Sequence, residues 1–303
     1  MSRKDSNRKM RLFPDTRPAT KRDRPESSGV DLGIIYTHED QYMPRLLSSL
    51  AEACGNVDAR LILVDNASQR GVAPWMKYFR NTTVLRNTQR LHYSANLNRI
   101  LRASTRPYTL LLNVDMFFEA GEPCIEKMCR FMDDHPRCGI AGCRLYHEDR
   151  KFAYPARRFQ TIPIILARRL HMGHLLSGSL QDYFYREHTE DEVWESDWLS
   201  GCFLMIRRAA FDEVGGFDER FIKYFEDVDM CLRMARARWH VMYNGQTFCY
   251  HIEQRASAKI FSANALIHLR SYMRWLYKWG FAPGKSIPDR RDQSDHRESR
   301  RAA

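Results

Sequence analysis

The 303-residue chain has no apolar run approaching the roughly 18 residues that a membrane-spanning helix needs, so no span is expected. Its N-terminus, MSRKDSNRKM, is basic but leads into no apolar stretch; a secretory signal is therefore not expected, and cytoplasmic residence is. Also missing is any C-x2-C pair. The eight cysteines are scattered, and their closest spacings, Cys124-x4-Cys129 and Cys138-x4-Cys143, are not those of zinc knuckles. In a large chain without an export signal such thiols are expected to be reduced and buried as small hydrophobes. Two phosphate-binding fingerprints are absent too, the G-x-G-x-x-G of dinucleotide-binding folds and the G-x-x-x-x-G-K-[ST] of P-loops. What remains is ordinary globular composition: 44% hydrophobic and 12% aromatic, ample for a core and against disorder throughout.

The net charge of +11 is concentrated at the ends. Residues 1–30 carry nine Lys/Arg against four Asp/Glu and residues 281–303 six against four, so the tails hold +7 and the middle +4. Both ends are polar, rich in Arg, Ser, Asp and Pro and without hydrophobic periodicity, and are expected to be disordered basic tails around one domain over 31–280. No basic folded element with groove-reading or stacking partners stands out, so no nucleic acid partner is expected. Basic tails can keep a protein soluble or hold it near anionic lipid.

From Asp31 onward short apolar runs alternate with amphipathic stretches. Strands are expected at 32–36, 61–64, 83–85 and 108–112, with helices around 42–54 and 94–104. Strands joined by helical crossovers imply an α/β fold with a single, mostly parallel Rossmann-like sheet flanked by helices. Ligands in such sheets bind beyond the carboxyl ends of the strands. Those ends read Thr37-His38, Asp65-Asn66 and Asn113-Val114-Asp115. Acids there, in place of glycines, suit a pyrophosphate bridged by Mg2+ or Mn2+, because Asp and Asn oxygens are hard ligands shared readily with substrate phosphates. Capping of turns is the competing role for Asp65 and Asp115.

The second half carries denser chemistry. Trp198-Leu199-Ser200-Gly201-Cys202 leads into an apolar strand at 203–206, then Arg207-Arg208 and a short helix. A tight turn, Val214-Gly215-Gly216-Phe217-Asp218-Glu219, follows. Phe225-Glu226-Asp227-Val228-Asp229 then opens a helix with Val228, Cys231, Leu232 and Ala235 on its apolar face. Acids in a first turn suit the helix dipole, and Asp229 with Arg233 most simply makes an i,i+4 pair on the helix surface. Three acids in four residues after a Gly-Gly bend exceed what a cap requires.

These motifs, in this order, resemble the inverting family 2 glycosyltransferases of the GT-A fold, and especially their rhamnosyltransferase-like branch. The resemblance spans roughly 31–280 and rests on Tyr36-Thr37, Val64-Asp65-Asn66-Ala67-Ser68, a helix start with Asn96 and Asn98, Leu112-Asn113-Val114-Asp115, the Trp198 to Gly201 segment, Arg207-Arg208-Ala209-Ala210-Phe211, Val214 to Glu219, Tyr224 to Asp229, and His251. It implies a hexosyltransferase of polysaccharide or cell-wall synthesis that uses a divalent metal and a nucleotide-diphosphate sugar. The acceptor would be a glycan or lipid-linked glycan, and rhamnose is the leading donor sugar. Asp227 matches the family's general base, with Glu226 beside it. Asp115 matches the metal-binding acid, and His251 a histidine near the metal or phosphates. Asp65 matches the contact to the donor nucleoside, and Thr37, Asn66, Asn96 and Asn113 fall in the same donor-binding motifs. Trp198 and Gly201, joined by Asp229, fall on the acceptor side. So do Arg157 and Arg158, in an acid-free basic stretch over 150–170 that also holds Ile162 to Leu166, Arg168 and Arg169.

The sequence departs from the family pattern in three places. His38 stands where Asn is common, His92 where Gly is usual, and Asn113-Val114-Asp115 has one acid where many relatives have two. Two other readings remain at this point. A nucleotidyltransferase such as a sugar-nucleotide pyrophosphorylase would share the sheet and the metal, although the acidic Thr37-His38-Glu39-Asp40 replaces the Gly-rich basic loop it needs. A non-catalytic carbohydrate-binding relative would not need to keep Asp65, Asp115, Glu226 and Asp227.

A C-terminal helix is expected over 262–279 with three stripes: basic Arg270, Arg274 and Lys278; apolar Leu266, Leu269, Met273 and Leu276; and aromatic Tyr272, Trp275 and Trp279. It can lie at a membrane interface with its basic edge on the lipid, or dock on the core with its cations solvated. Docking is expected to use the apolar stripe in either case.

Overall fold

Apolar side chains alternate between the two faces of the first two strands, and each face is covered. In the computed structural model, which describes residues 29–161, 164, 177–252 and 263–281, strand β1 is Val30–Tyr36 and β2 is Ala59–Asp65. Val30, Leu32, Ile34 and Tyr36 with Leu61 and Leu63 face one core, and Ile62 and Val64 face the other. Near-continuous apolar runs are what a parallel sheet covered on both sides requires.

The order continues with α1 (Met43–Ala53), a 3-10 turn at Ala73–Tyr78, β3 (Thr82–Arg86), α2 (Tyr93–Ala103), β4 (Tyr108–Leu112), β5 (Met116–Phe117), α3 (Cys124–Asp134) and β6 (Cys138–Tyr146). Then come β7 (Ala156–Arg157), α4 (Ser177–Tyr183), β8 (Val193–Glu195), β9 (Trp198–Leu199), β10 (Phe203–Arg207), α5 (Arg208–Val214), α6 (Glu226–Arg236), β11 (His240–His251) and α7 (Ala263–Trp279). The expected strands and helices are present, and no end differs by more than two residues. The tails fall outside the described residues except for Gly29, Val30 and Phe281. So do Arg168, Arg169 and the 162–166 run, of which only Ile164 is described.

The main sheet runs β3-β2-β1-β4-β10-β6-β11-β5, with β8 also on β11. It is mixed and mostly parallel. β3, β2, β1 and β4 are mutually parallel, as are β6 and β11, while β10 lies antiparallel between β4 and β6. β7 and β9 form a separate two-stranded ribbon. α1 and α3 cover one face; α2, α6 and the aromatic side of α7 cover the other. All eight cysteines are buried and unpaired, as expected for reduced thiols.

One buried charge ties the amino ends of the parallel strands together. Asp31, fully buried in β1, accepts from Arg60 Nε at 2.7 Å, Ser104 Oγ at 2.7 Å and the N–H groups of Thr105 and Arg106. Burial would raise its pKa, but these donors together hold it below the ordinary carboxylate value.

Candidate active site

The carboxyl ends of β1, β2 and β4 lie at the same edge of the sheet, because Tyr36 pairs with Asp65 and Ile34 with Leu112. Asp65 closes its own turn, accepting the Ser68 N–H at 2.9 Å, while Ala67 takes a left-handed φ of 53°. Thr37 begins the loop after β1, and its N–H is held by the Glu39 carboxylate at 2.8 Å.

Asn66 and Asn96 belong to a buried amide network that sequence reasoning did not foresee. Asn87, unremarkable in the sequence, sits between them and donates to Asn66 Oδ1 at 2.8 Å and to Asn96 Oδ1 at 2.7 Å. Asn66 accepts from the Leu91 N–H, and Asn96 donates to the carbonyls of Leu91 and His92. Both side chains thus fix the backbone of the loop before α2, so any help they give to donor binding acts through the loop's shape. Asn98 does the same for a second turn. It accepts the Phe217 N–H at 2.7 Å and donates to the Phe217 carbonyl, and a Cβ at Gly216 would collide with its amide.

The centre forms where β4 ends, β10 begins and α6 starts. Phe203 pairs with Leu112, so the next residue out, Asn113, meets Cys202, whose carbonyl accepts its N–H at 3.0 Å. Gly201, one residue further, donates its N–H to Oδ2 of Asp227 at 2.9 Å, and Val228 donates its own to Oδ1 at the same distance. A Cβ at Gly201 would stand 3.2 Å from that oxygen, tighter than ordinary contact. Tyr93, which sequence reasoning did not single out, is the first residue of α2 and donates its hydroxyl to Asn113 Oδ1 at 2.8 Å. Its pKa is pushed well above 10, first by burial and then by the negative charges of Glu226, Asp227 and Asp115 around it.

Two successive left-handed residues, Tyr224 at φ 68° and Phe225 at φ 70°, turn the chain into α6 and carry Glu226 and Asp227 inward. Non-glycine residues in this region are strained and persist only where the surroundings hold them. Phe225 is held by Tyr272 and Trp275 of α7, with ring centroids at 5.6 and 6.0 Å. Glu226 is almost fully buried, and its Oε2 has no hydrogen-bond partner among the described residues. Burial, and next the Asp227 charge, push its carboxyl up to about 8. Burial also raises Asp227, opposed by the Val228 and Gly201 N–H groups and by the Arg157 guanidinium.

Asp115 and His251 come together from elements far apart in sequence. β5 pairs with the end of β11, Met116 opposite His251, which brings His251 Nε2 to 3.3 Å from Asp115 Oδ1. One carboxylate and one imidazole suit a divalent ion that fills its other positions with phosphate oxygens and water. Among the described residues no group of three or more His, Cys, Asp or Glu is arranged to hold a metal. The pair would therefore hold an ion jointly with substrate oxygens.

The acceptor-side candidates separate. The Arg157 guanidinium lies 5.0 Å from the Trp198 ring centroid, in the ribbon where Arg157 pairs with Trp198, and its charge reaches Asp227. Arg158 turns away, bound to Asp182 at 2.8 Å and to Glu187 at 2.5 Å. The Trp198 indole donates to the Arg158 carbonyl at 2.8 Å. Asp229 is not on the acceptor side. Its carboxylate is fully buried, with Oδ2 on Arg233 at 2.9 Å and Oδ1 on the Trp279 indole at 2.8 Å and Lys278 at 2.7 Å. It belongs to the seam between α6 and α7.

The chain matches the model of "Glycosyl transferase family 2" over residues 32–215, more than half its length, and that of "N-terminal domain of galactosyltransferase" over 190–255. It is 26% identical over 245 residues to the N-acetylglucosaminyl-diphospho-decaprenol L-rhamnosyltransferase of Mycobacterium tuberculosis, covering 76% of this chain and 78% of the relative. To the rhamnosyltransferase WbbL of Escherichia coli it is 34% identical over 80 residues, 26% of this chain and 30% of that one. Among solved structures, a mannosyltransferase from Pyrobaculum calidifontis in complex with GDP-Man and Mn2+ shares the fold. Its TM-score is 0.54 at 15% identity, over 86% of this chain and 74% of that one.

Proposed function

The chain belongs to glycosyl transferase family 2 and is a glycosyltransferase, and from that premise we propose that it moves a hexose or 6-deoxyhexose, rhamnose first among them, with inversion onto a lipid-linked glycan. The observation that carries this reading is the half-buried Asp227 carboxylate. It is fixed through both oxygens by the Gly201 and Val228 N–H groups and sits in one pocket of charge with Tyr93, Glu226 and Asp115. Similarity to an enzyme named for L-rhamnosyl transfer to a diphospho-decaprenol acceptor supports the choice of sugar and acceptor.

In this reading the donor is a dTDP- or UDP-linked sugar whose diphosphate lies by Asp115 and His251. Those two residues would hold a divalent ion, Mg2+ or Mn2+, which when bound neutralises charge developing on the leaving diphosphate. Asp65 and the loop pinned by Asn66, Asn87 and Asn96 form the nucleoside end. Asp227 takes the proton of the acceptor hydroxyl as its oxygen attacks the anomeric carbon. The new C–O bond forms as the bond to the diphosphate breaks on the opposite side, so one displacement inverts the centre. Burial beside Asp227 favours the protonated form of Glu226, so that the negative charge of the pair rests on Asp227, where two N–H groups receive it. Trp198 and Arg157 flank the acceptor, and Arg157 faces its phosphates. Such an enzyme works in the cytoplasm at the inner face of a membrane.

The test is incubation of the full chain with dTDP-rhamnose, other dTDP- and UDP-sugars and a polyprenyl-diphosphate-linked N-acetylglucosamine. Mass spectrometry of the lipid product is the readout. An added 6-deoxyhexose, with inverted anomeric configuration by NMR, supports the reading. Transfer only to soluble glycans, or a donor outside these classes, overturns it.

A further inference from the structure

Helix α7 docks on the wrong stripe for the arrangement its sequence implies. The aromatic stripe faces inward: Trp275 is fully buried and Tyr272 nearly so, Trp275 lies 6.0 Å from both Phe159 and Phe225, and Ser271 Oγ donates to the Lys223 carbonyl. The basic stripe is largely consumed as well. Lys278 is bound to Asp218 and Asp229, each at 2.7 Å, and Arg274 donates to the Arg220 carbonyl. The apolar residues other than Leu276 point outward. Leu266 is 69%, Leu269 48%, Met273 56% and Tyr277 94% exposed, and Phe281 beyond the helix is 72% exposed.

Positions 266, 269, 273 and 277 fall at helical spacing on one face, and exposed Arg270 lies within it. Of the large apolar side chains exposed among the described residues, only Met76 is elsewhere. Scattered exposed apolar residues need no explanation, but a contiguous stripe does.

We propose that this outer face of α7 is the surface by which the protein lies on an anionic lipid bilayer, with Leu266, Leu269, Met273, Tyr277 and Phe281 in the interfacial layer and Arg270 among the headgroups. Charge selects this occupant. From 254 to 288 the sequence contains no acidic residue and six basic ones, Arg255, Lys259, Arg270, Arg274, Lys278 and Lys285, of which Lys278 is neutralised by Asp218 and Asp229 and adds nothing to the attraction. Such a helix combines apolar insertion with attraction to anionic lipid, and aromatic side chains suit the boundary layer. A second copy fits poorly, because a two-fold contact through this face would bring each Arg270 toward its equivalent. The inner side of the same helix holds Phe225 at the entry to Glu226 and Asp227, and a helix is only about 10 Å across with its side chains. A face lying on lipid would therefore bring the acceptor side close to a lipid-linked substrate. That last step rests on the function proposed above; the lipid contact itself does not.

The test uses the full chain, no sugar nucleotide and no acceptor. Parent protein and the variant Leu266→Gln/Leu269→Gln/Met273→Gln are sedimented with vesicles of phosphatidylcholine alone and of phosphatidylcholine with phosphatidylglycerol, at low and high salt. The variant keeps the inward residues Tyr272, Trp275 and Lys278, and near-UV circular dichroism checks that it is folded. A second variant, Arg270→Gln, separates the charge contribution. The expected result is co-sedimentation of the parent with the anionic vesicles, weakened by salt, reduced about tenfold or more in the triple variant and less in Arg270→Gln. Equal sedimentation of parent and triple variant overturns the proposal, as does sedimentation of neither. So does a concentration-dependent dimer of the parent in sedimentation velocity that the triple change dissolves, which would assign the face to a second copy. Lipid binding without sugar transfer would overturn the proposed function and leave this surface standing.

Discussion

The Gly201 N–H donates to Oδ2 of Asp227 across 2.9 Å, joining the turn before β10 to the first residues of α6. With Val228 on Oδ1, both oxygens of the carboxylate are oriented before any substrate arrives. Preorganised donors of this kind cost no reorganisation during reaction.

Replacing this carboxylate isolates its chemistry. Asp227→Asn keeps an oxygen to accept one N–H group and loses the basic site. Turnover is expected to fall by about two to four orders of magnitude, with donor affinity nearly unchanged. Isothermal titration with the sugar nucleotide beside steady-state kinetics checks it; lost donor binding would place Asp227 in the phosphate site.

Asp115→Asn and His251→Ala are each expected to weaken Mn2+ binding in the presence of nucleoside diphosphate, because an amide or a methyl is a poorer ligand than a carboxylate or an imidazole. Calorimetric titration of Mn2+ reads this without turnover. Unchanged Mn2+ affinity in both variants would remove the pair from this role.

The buried Glu226 carboxyl sets a pH dependence of stability. Its ordinary pKa is 4.5 and burial beside Asp227 raises the folded value to about 8, so between these values the native state holds a proton that the unfolded chain has released. Stability therefore falls as pH rises through this window and levels off above it. Glu226→Gln removes the dependence. The variant is expected to melt higher than the parent at pH 8, with the gap closing toward pH 5. A gap that grows toward pH 5 would contradict the assignment.

Arg157 and Arg158 are adjacent in sequence and differ in surroundings. Arg157→Ala is expected to raise the acceptor KM and spare the donor KM. Arg158→Ala is expected to leave both nearly unchanged and to cost at most about 1 kcal/mol of stability, as exposed ion pairs do. Equal kinetic effects would show that the stretch acts only as a block of charge.

Asp229→Asn leaves Arg233 and Lys278 without their shared buried counter-charge. A loss of about 3–5 kcal/mol in urea unfolding is expected, with α7 loosened from α6. A loss below about 1 kcal/mol, the range of an exposed pair, would show that the seam does not depend on this charge.

The sheet's parallel half, its helices and the presence of acids at its edge were legible in the sequence, because each is a local pattern. Alternation and helical spacing persist whatever packs against them, and polar residues after strands mark the ligand edge of any such sheet. The ion pair of Asp229 with Arg233 was legible for the same reason, being an i,i+4 contact within one helix, but its burial beneath α7 was not. Everything that joined distant segments was not. Tyr93 reaches Asn113 only because the start of α2 lies beside the end of β4, and Asn87 completes the amide network only because the loops after β2 and β3 meet at the first turn of α2. Helix α7 shows the limit most clearly. Its aromatic and apolar stripes have the same periodicity, so pattern alone could not say which one is covered. The choice fell to the shape of the surface beneath, where Phe159 and Phe225 receive the flat ring of Trp275 and buried Asp229 draws in Lys278 and Trp279. Composition and spacing thus determined the parallel strands, their helices and the polar residues that follow them, while packing between elements decided which face of each is spent on the core and which stays exposed.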